Sequence, residues 1–155
     1  MTRVLHITTV DSTIQILLMP LLKALQSRGY TVEVACFIQD WQESIEREGI
    51  KTHLISAFNR KMDPLSDIKA IFQIISLLRH EKFDIVHTHT PKPNLYGCVA
   101  SRLMGVPVVI SMEHGFYFYN MSGLLRKLYT CASWLGALFS NSTIVINDDD
   151  FKIFV

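Results

Sequence analysis

Phe83-Asp84-Ile85-Val86-His87-Thr88-His89-Thr90-Pro91-Lys92 passes from apolar to ligand-grade chemistry within a few residues. Ile85 and Val86 suit a strand buried on both faces of a parallel sheet. Two histidines, two threonines and a lysine follow at once. In an open α/β sheet, ligands bind at the carboxyl ends of the strands. Lys92 stands where the next helix would begin, and unpaired backbone N–H groups there favour an anion. The stretch therefore sets two expectations: a parallel sheet, and a polar, anion-facing site at its carboxyl edge.

The flanking sequence supports the first. Strand-like runs alternate with helical periodicity: strands over Arg3 to Thr9, Thr31 to Phe37, Lys51 to Ile55, Asp84 to His87, Val106 to Ser111 and Thr143 to Ile146. Between them lie helices from Thr13 to Arg28, Trp41 to Glu48, Pro64 onward, Lys92 or Pro93 to Met104, and Ser122 to Phe139, with one more beginning after Asn147. Asp11 or Ser12, Asp40 and Asp63 are the expected caps, and Gly29, Gly49 and Gly105 the expected stops. Pro20 should kink or split the first helix. Ile68, Ile71, Phe72, Ile75 and Leu78 form the expected core stripe of the helix from Pro64, and Leu124, Leu125, Leu128, Ala132, Leu135 and Leu138 that of the helix Ser122 to Phe139. This rhythm predicts an α/β fold: a Rossmann-like three-layer sandwich with a mostly parallel sheet of about six strands, helices on both faces and right-handed crossovers.

Composition sets the outer bounds. The chain has 155 residues, 49% hydrophobic and 19% charged, which fits one globular domain with no linker or repeat. A net charge of +1 argues against nucleic acid as a partner. Cys36, Cys98 and Cys131 are far apart and read as buried small hydrophobes in a reducing compartment. Met1-Thr2-Arg3 leads directly into the first strand, without the pattern of a secretory signal. The longest apolar helix candidate, Leu128 to Phe139, is well below the ~18 residues a spanning helix needs. The expected location is cytoplasmic.

A strand order of 3-2-1-4-5-6 would open a crevice between strands one and four. Thr8-Thr9-Val10-Asp11-Ser12, His87-Thr88-His89-Thr90 and Ser111-Met112-Glu113-His114-Gly115 would then converge. Several readings of these groups stand side by side. His87 and His89 share a strand face, and with Glu113 or His114 they could hold a metal. Alternatively, His87 is a structural histidine beneath the site. His114 either meets a ligand directly, since imidazole can donate to a sugar hydroxyl or a phosphate near neutral pH, or anchors its loop. Phe116-Tyr117-Phe118-Tyr119 is either core or a wall on which a sugar or lipid lies. Arg126 and Lys127 are either a solvated face or a contact for anionic headgroups.

Missing motifs narrow the field. The turn after the first strand, Thr8 to Thr13, has no glycine, so a dinucleotide held by G-x-G-x-x-G is not expected. Neither a P-loop nor a G-x-S-x-G elbow is present.

Several pieces, in order, resemble one family: Arg3-Val4-Leu5-His6-Ile7-Thr8-Thr9, Ala24-Leu25-Gln26-Ser27-Arg28-Gly29-Tyr30, Val32-Glu33-Val34-Ala35, Phe83 to His89, Gly105-Val106-Pro107-Val108-Val109 and His114-Gly115-Phe116. Together they are similar to the N-terminal domain of family 4 glycosyltransferases, more narrowly the bacterial enzymes that build capsular, exopolysaccharide or lipopolysaccharide chains on a lipid carrier. The resemblance implies the N-terminal half of a GT-B architecture, two Rossmann-like domains facing each other across a cleft. It implies retaining transfer from a nucleotide-sugar donor to a saccharide or lipid-linked acceptor, with no cofactor and no metal. It implies acceptor binding mainly in this domain, donor binding mainly in a second domain, and peripheral contact with the inner face of the plasma membrane.

Carried over by position, His114 stands near the donor sugar as the catalytic candidate. Asp11 and Ser12 fall in the loop after strand one that many relatives make glycine-rich near donor phosphate and acceptor; in this chain that loop has no glycine. His89 and Thr90 fall on the acceptor side, and Lys92, Gly115 and Phe116 complete the substrate-binding set. A family member would continue beyond Val155 for about one more domain. Residues 1–155 are therefore expected to be the acceptor half, without the C-terminal donor-binding domain and inactive alone. Two alternatives stay open: a non-catalytic half-domain that binds a separate catalytic chain, marked by an exposed apolar face on the helix Ser122 to Phe139, and a metal-dependent hydrolase using His87, His89, Glu113 and His114.

Overall fold

The alternating pattern folds as the strands and helices demand. In the computed structural model, which describes residues 1–58, 63–115 and 123–152, the strands are β1 (Arg3–Val10), β2 (Thr31–Phe37), β3 (Lys51–Leu54), β4 (Ile85–His89), β5 (Val108–Glu113) and β6 (Ser142–Val145). The helices are α1 (Asp11–Thr13), α2 (Met19–Ser27), α3 (Gln42–Arg47), α4 (Pro64–His80), α5 (Pro91–Leu103), α6 (Gly123–Phe139) and α7 (Asp148–Phe151). The sheet runs β3-β2-β1-β4-β5-β6, with every pairing parallel. This is the expected order, and it places the ends of β1 and β4 side by side. Asn59, Arg60, Lys61 and the aromatic run Phe116 to Tyr119 lie outside the described residues.

Side chains alternate across the sheet. Leu5, Ile7, Val86 and Val109 join Ala70, Ile74, Leu78, Cys98 and Ala100 of α4 and α5 in one core. Val32, Val34 and Cys36 join Ile14, Leu18 and Leu22 in the other. Helices thus cover both faces.

Local details differ from expectation for physical reasons. The first helical stretch starts at Asp11 and carries a π-helical segment, Ile14–Leu18, just before Pro20. Proline lacks an N–H and its ring crowds the carbonyl four residues back; the wider turn relieves that conflict, and Pro20 becomes an early residue of α2. Asp40 does not cap α3, whose N-cap is Trp41 with no side-chain bond. Asp63 does cap α4, accepting from Leu65 N, and Gly29 and Gly105 end their helices at φ 86° and 71°.

Two helices are rotated from the expected faces. In α4 the buried residues are Ala70, Ile74 and Leu78, while Ile68 and Phe72 stand in solvent. That helix is apolar around most of its circumference, so periodicity could not choose a face. α6 turns Ser133 and Gly136 inward and leaves Leu124, Leu128, Leu135 and Leu138 exposed. Its partner is helix α5: a Cβ on Gly136 would lie 2.7 Å from Asn94 O. A contact that close admits only small residues, so the leucines face out. Cys131, expected inside, is exposed with them, whereas Cys36 and Cys98 are buried.

Candidate functional site

β1 and β4 end together at a cleft of about 380 Å3, lined by Thr9, Val10, Thr13, Thr90, Pro91, Lys92, Glu113, His114, Gly115 and Tyr129. The turn from β4 to α5 is its floor. Thr90 has φ 73° and ψ 152°, a conformation costly for a β-branched residue and one that persists only where the surroundings impose it. Its hydroxyl lies 2.9 Å from that of Thr9 on β1.

Behind the cleft lies a row of imidazoles. The β1–β4 register pairs His6 with His87, and strand alternation adds His89 to the same face. His6 Nδ1 is 2.9 Å from His89 Nε2, and His89 Nδ1 is 3.1 Å from His114 Nε2. The rings stack at 14° and 23° to each other, and His87 packs against His89 with centroids 4.2 Å apart. Burial removes the water that would solvate a cation and holds all four neutral. His6 is pushed down to about 3 and His87 to about 4, each by burial and then by a neighbouring imidazole. His89 lies well below the usual range and His114 below it, both through burial.

The expected site residues divide as follows. His114, Thr90, Lys92 and Gly115 line the cleft. His89 is fully buried and reaches the cleft through His114. Asp11 is turned away: its Oδ2 accepts from Gln39 N at 2.7 Å and Trp41 N at 3.0 Å, tying down the segment after β2. A carboxylate at the start of a helix can also bind the amides of a neighbouring turn, and here it takes those of Gln39 and Trp41. Ser12 is half-buried and not among the lining residues. Phe116 lies outside the described residues. Thr9 belongs to the strand-one end expected to converge there, whereas His6, Thr13 and Tyr129 were missed. A histidine inside an apolar strand was the available signal for His6; Tyr129 comes in only because α6 crosses near α5.

The expected anion-facing character is weakened. Lys92 Nζ lies 2.6 Å from Asp67 Oδ1 on α4, with both side chains largely buried. Pro91 and Pro93 contribute no N–H to the first turn of α5, and Asn94 N already bonds Thr90 O. The cleft therefore presents mainly hydroxyls, an imidazole and an aromatic ring.

As for a metal, Glu113 cannot join His87 and His89, because its place in β5 puts it on the opposite face. It is buried, and burial raises its carboxyl to about 7 although Asn94 and Ser133 oppose the rise. Among the described residues, His6, His87 and His89 bring ring nitrogens within 4.8 Å of one another. Two of the three are already hydrogen-bonded together.

Residues 3–148 match the family described as glycosyl transferase 4-like. The chain belongs to that family. Over 107 residues, 68% of its length, it is 31% identical to the Escherichia coli UDP-Gal:alpha-D-GlcNAc-diphosphoundecaprenol alpha-1,3-galactosyltransferase, covering 28% of that protein. Over 137 residues, 85% of its length, it is 22% identical to the Campylobacter jejuni N,N'-diacetylbacillosaminyl-diphospho-undecaprenol alpha-1,3-N-acetylgalactosaminyltransferase, covering 36% of it. The crystal structure of Anabaena HepE in complex with UDP and glucose superposes with a TM-score of 0.74 at 12% identity, over 99% of this chain and 40% of that one. That likeness establishes the fold, the Rossmann-like N-terminal half of a GT-B architecture. The glycosyl transferase 4-like chain spans about a third of the curated relatives it matches.

Proposed function

We propose that residues 1–155 are the acceptor-side domain of a retaining glycosyltransferase. In this reading the enzyme transfers a sugar from a nucleotide-sugar donor to a lipid-linked saccharide during cell-surface polysaccharide synthesis. A second, C-terminal domain supplies most of the donor site. The observation that carries the reading is the character of the cleft: rich in hydroxyls, with an imidazole and a tyrosine, and poor in free phosphate-binding amides. Such a wall suits the hydroxyls of a saccharide and leaves the donor's diphosphate to the other domain. The two curated relatives, both named for diphospho-undecaprenol acceptors, support the acceptor class.

His114 is the residue assigned to contact the reacting sugar. Thr90, Lys92 and Gly115 hold the saccharide, with Phe116, next in sequence to Gly115, assigned to the same set. Asp11 acts by fixing the loop after β2, with Ser12 beside it, and His89 acts through His114.

The proposed location is the inner face of the plasma membrane. No helix among the described residues is long and apolar enough to cross a membrane, but α4 exposes Leu65, Ile68 and Phe72, and α6 exposes Leu124 and Leu128 beside Arg126 and Lys127. Apolar side chains flanked by cations suit a peripheral contact with anionic lipid. The same stripe on α6 favours a second reading, a half-domain that docks on a separate catalytic chain.

The deciding assay is transfer from radiolabelled UDP-sugars to a synthetic diphosphopolyprenyl saccharide by the full-length protein. Turnover is expected, with His114→Ala lowering it about 10²-fold and residues 1–155 alone giving none. Turnover by residues 1–155 alone would overturn the half-domain assignment, and no transfer by the full-length chain would favour the docking reading.

A further inference from the structure

The three imidazoles of His6, His89 and His114 form one hydrogen-bonded row ending at the cleft. A neutral imidazole carries one N–H and one bare nitrogen. Because His89 uses both nitrogens, its donor must point one way and its acceptor the other, and the three rings are aligned as a set. In the outward alignment His6 donates to His89, His89 donates to His114 Nε2, and His114 keeps its proton on Nδ1. In the inward alignment His114 donates to His89, His89 donates to His6, and His114 Nδ1 is bare.

The far end of the row decides between them. Among the described residues, His6 Nε2 is buried and has no hydrogen-bond partner. In the inward alignment it would be an orphaned N–H; in the outward one it is a bare acceptor. Orphaned buried N–H groups are the rarer and costlier of the two. We propose that His6 and His89 are positioning residues that hold His114 as the Nδ1–H tautomer, so that the cleft meets a hydrogen-bond donor there and not a general base. The ligand group it suits is an oxygen acceptor, a sugar hydroxyl or a phosphoryl oxygen, and this assignment of ligand rests on the proposed transferase reading.

Two further features fit. Every ring in the row is held neutral by burial, so no added proton erases the alignment near neutral pH. His87 packs on both His6 and His89 and restrains their tilt.

Long-range 1H–15N correlation spectra of the full-length protein, labelled with 15N at histidine, read the tautomer without any substrate. His114 is expected as a neutral Nδ1–H ring at pH 7. His89→Phe removes the donor to Nε2, and His114 should then relax to a mixture of both tautomers, whereas His89→Gln, whose amide can still donate, should retain the Nδ1–H form. A wild-type His114 protonated on Nε2 overturns the proposal, as does a His89→Phe spectrum in which the tautomer is unchanged. The wild-type spectrum decides the alignment even if His89→Phe does not fold. Because it needs no turnover, its failure is separable from failure of the transferase assignment.

Discussion

Buried titratable groups at the carboxyl edge make stability depend on pH in opposing ways. His6, His87 and His89 are neutral when folded, with His6 at about 3 and His87 at about 4. An unfolded histidine titrates near 6.5, so below that pH the unfolded chain binds more protons and stability falls on acidification. Each group contributes up to about 1.4 kcal/mol per pH unit between 6.5 and its folded value. Glu113 has the opposite sign. Its carboxyl stays protonated to about 7 when folded, so its cost grows as pH rises from the unfolded value towards 7. Three histidines outweigh one carboxyl, and urea midpoints should drop steadily from pH 6.5 to 5; a flat profile there would contradict neutral burial of the histidines. Glu113→Gln removes this opposing group. Above pH 7 that variant should exceed the wild type by about 1–3 kcal/mol, with the gap closing towards pH 4.5.

At the level of elements, strand existence, order and most helix ends were legible in the sequence. Apolar runs, Asp63-Pro64, Gly29 and Gly105 act locally and need no knowledge of neighbours. Helix faces were not legible, because a face is chosen by what it meets. α4 offers apolar residues on nearly every side, and α6 was turned by a close approach to α5 that only Gly136 and Ser133 reveal. The lining of the candidate cleft was legible in the same measure: the places of His114, Thr90 and Gly115 follow from strand ends, whereas that of the Asp11 carboxylate depended on where the amides of Gln39 and Trp41 came to rest. The α5–α6 contact yields a direct test. A methyl at position 136 would collide with backbone at 2.7 Å, and backbone cannot rotate away as a side-chain tip can. Gly136→Ala should lower stability by about 1–3 kcal/mol in urea unfolding. Leu128→Glu, on the exposed face, should change it by no more than about 0.5 kcal/mol while reducing co-sedimentation with vesicles containing anionic lipid. Loss of stability from Leu128→Glu would place that face inside the fold instead.

Across the whole molecule the two ends of the sheet differ in chemistry. The carboxyl end holds the cleft, the strained Thr90 and the imidazole row. The amino end is tied by charge: Arg3 Nη2 lies 2.5 Å from Glu33 and 2.8 Å from Glu81, Lys51 bonds Glu81 at 2.8 Å, and His53 Nε2 lies 2.7 Å from Glu33. These contacts stitch β1, β2, β3 and the end of α4 together below the core. Burial alone would raise the Glu33 carboxyl, but hydrogen bonds and charge from Arg3 and His53 overcome it, and the group lies below its ordinary value. A lowered carboxylate contributes stability above its unfolded value and loses it as pH falls through the folded one. Glu33 is almost fully buried, so Glu33→Ala leaves Arg3 short of its partner and opens a gap. Arg3 is partly exposed and keeps Glu81, so the expected cost is about 1–3 kcal/mol, largest near neutral pH and shrinking below pH 4. Since the network lies at the end of the sheet away from the cleft, turnover per folded molecule in the full-length protein and the His114 tautomer should stay as in the wild type. A Glu33→Ala protein that is folded by circular dichroism yet shifted in that tautomer would show that strain passes along β1 from Arg3 to His6, and the division of the sheet into a structural end and a functional end would not hold.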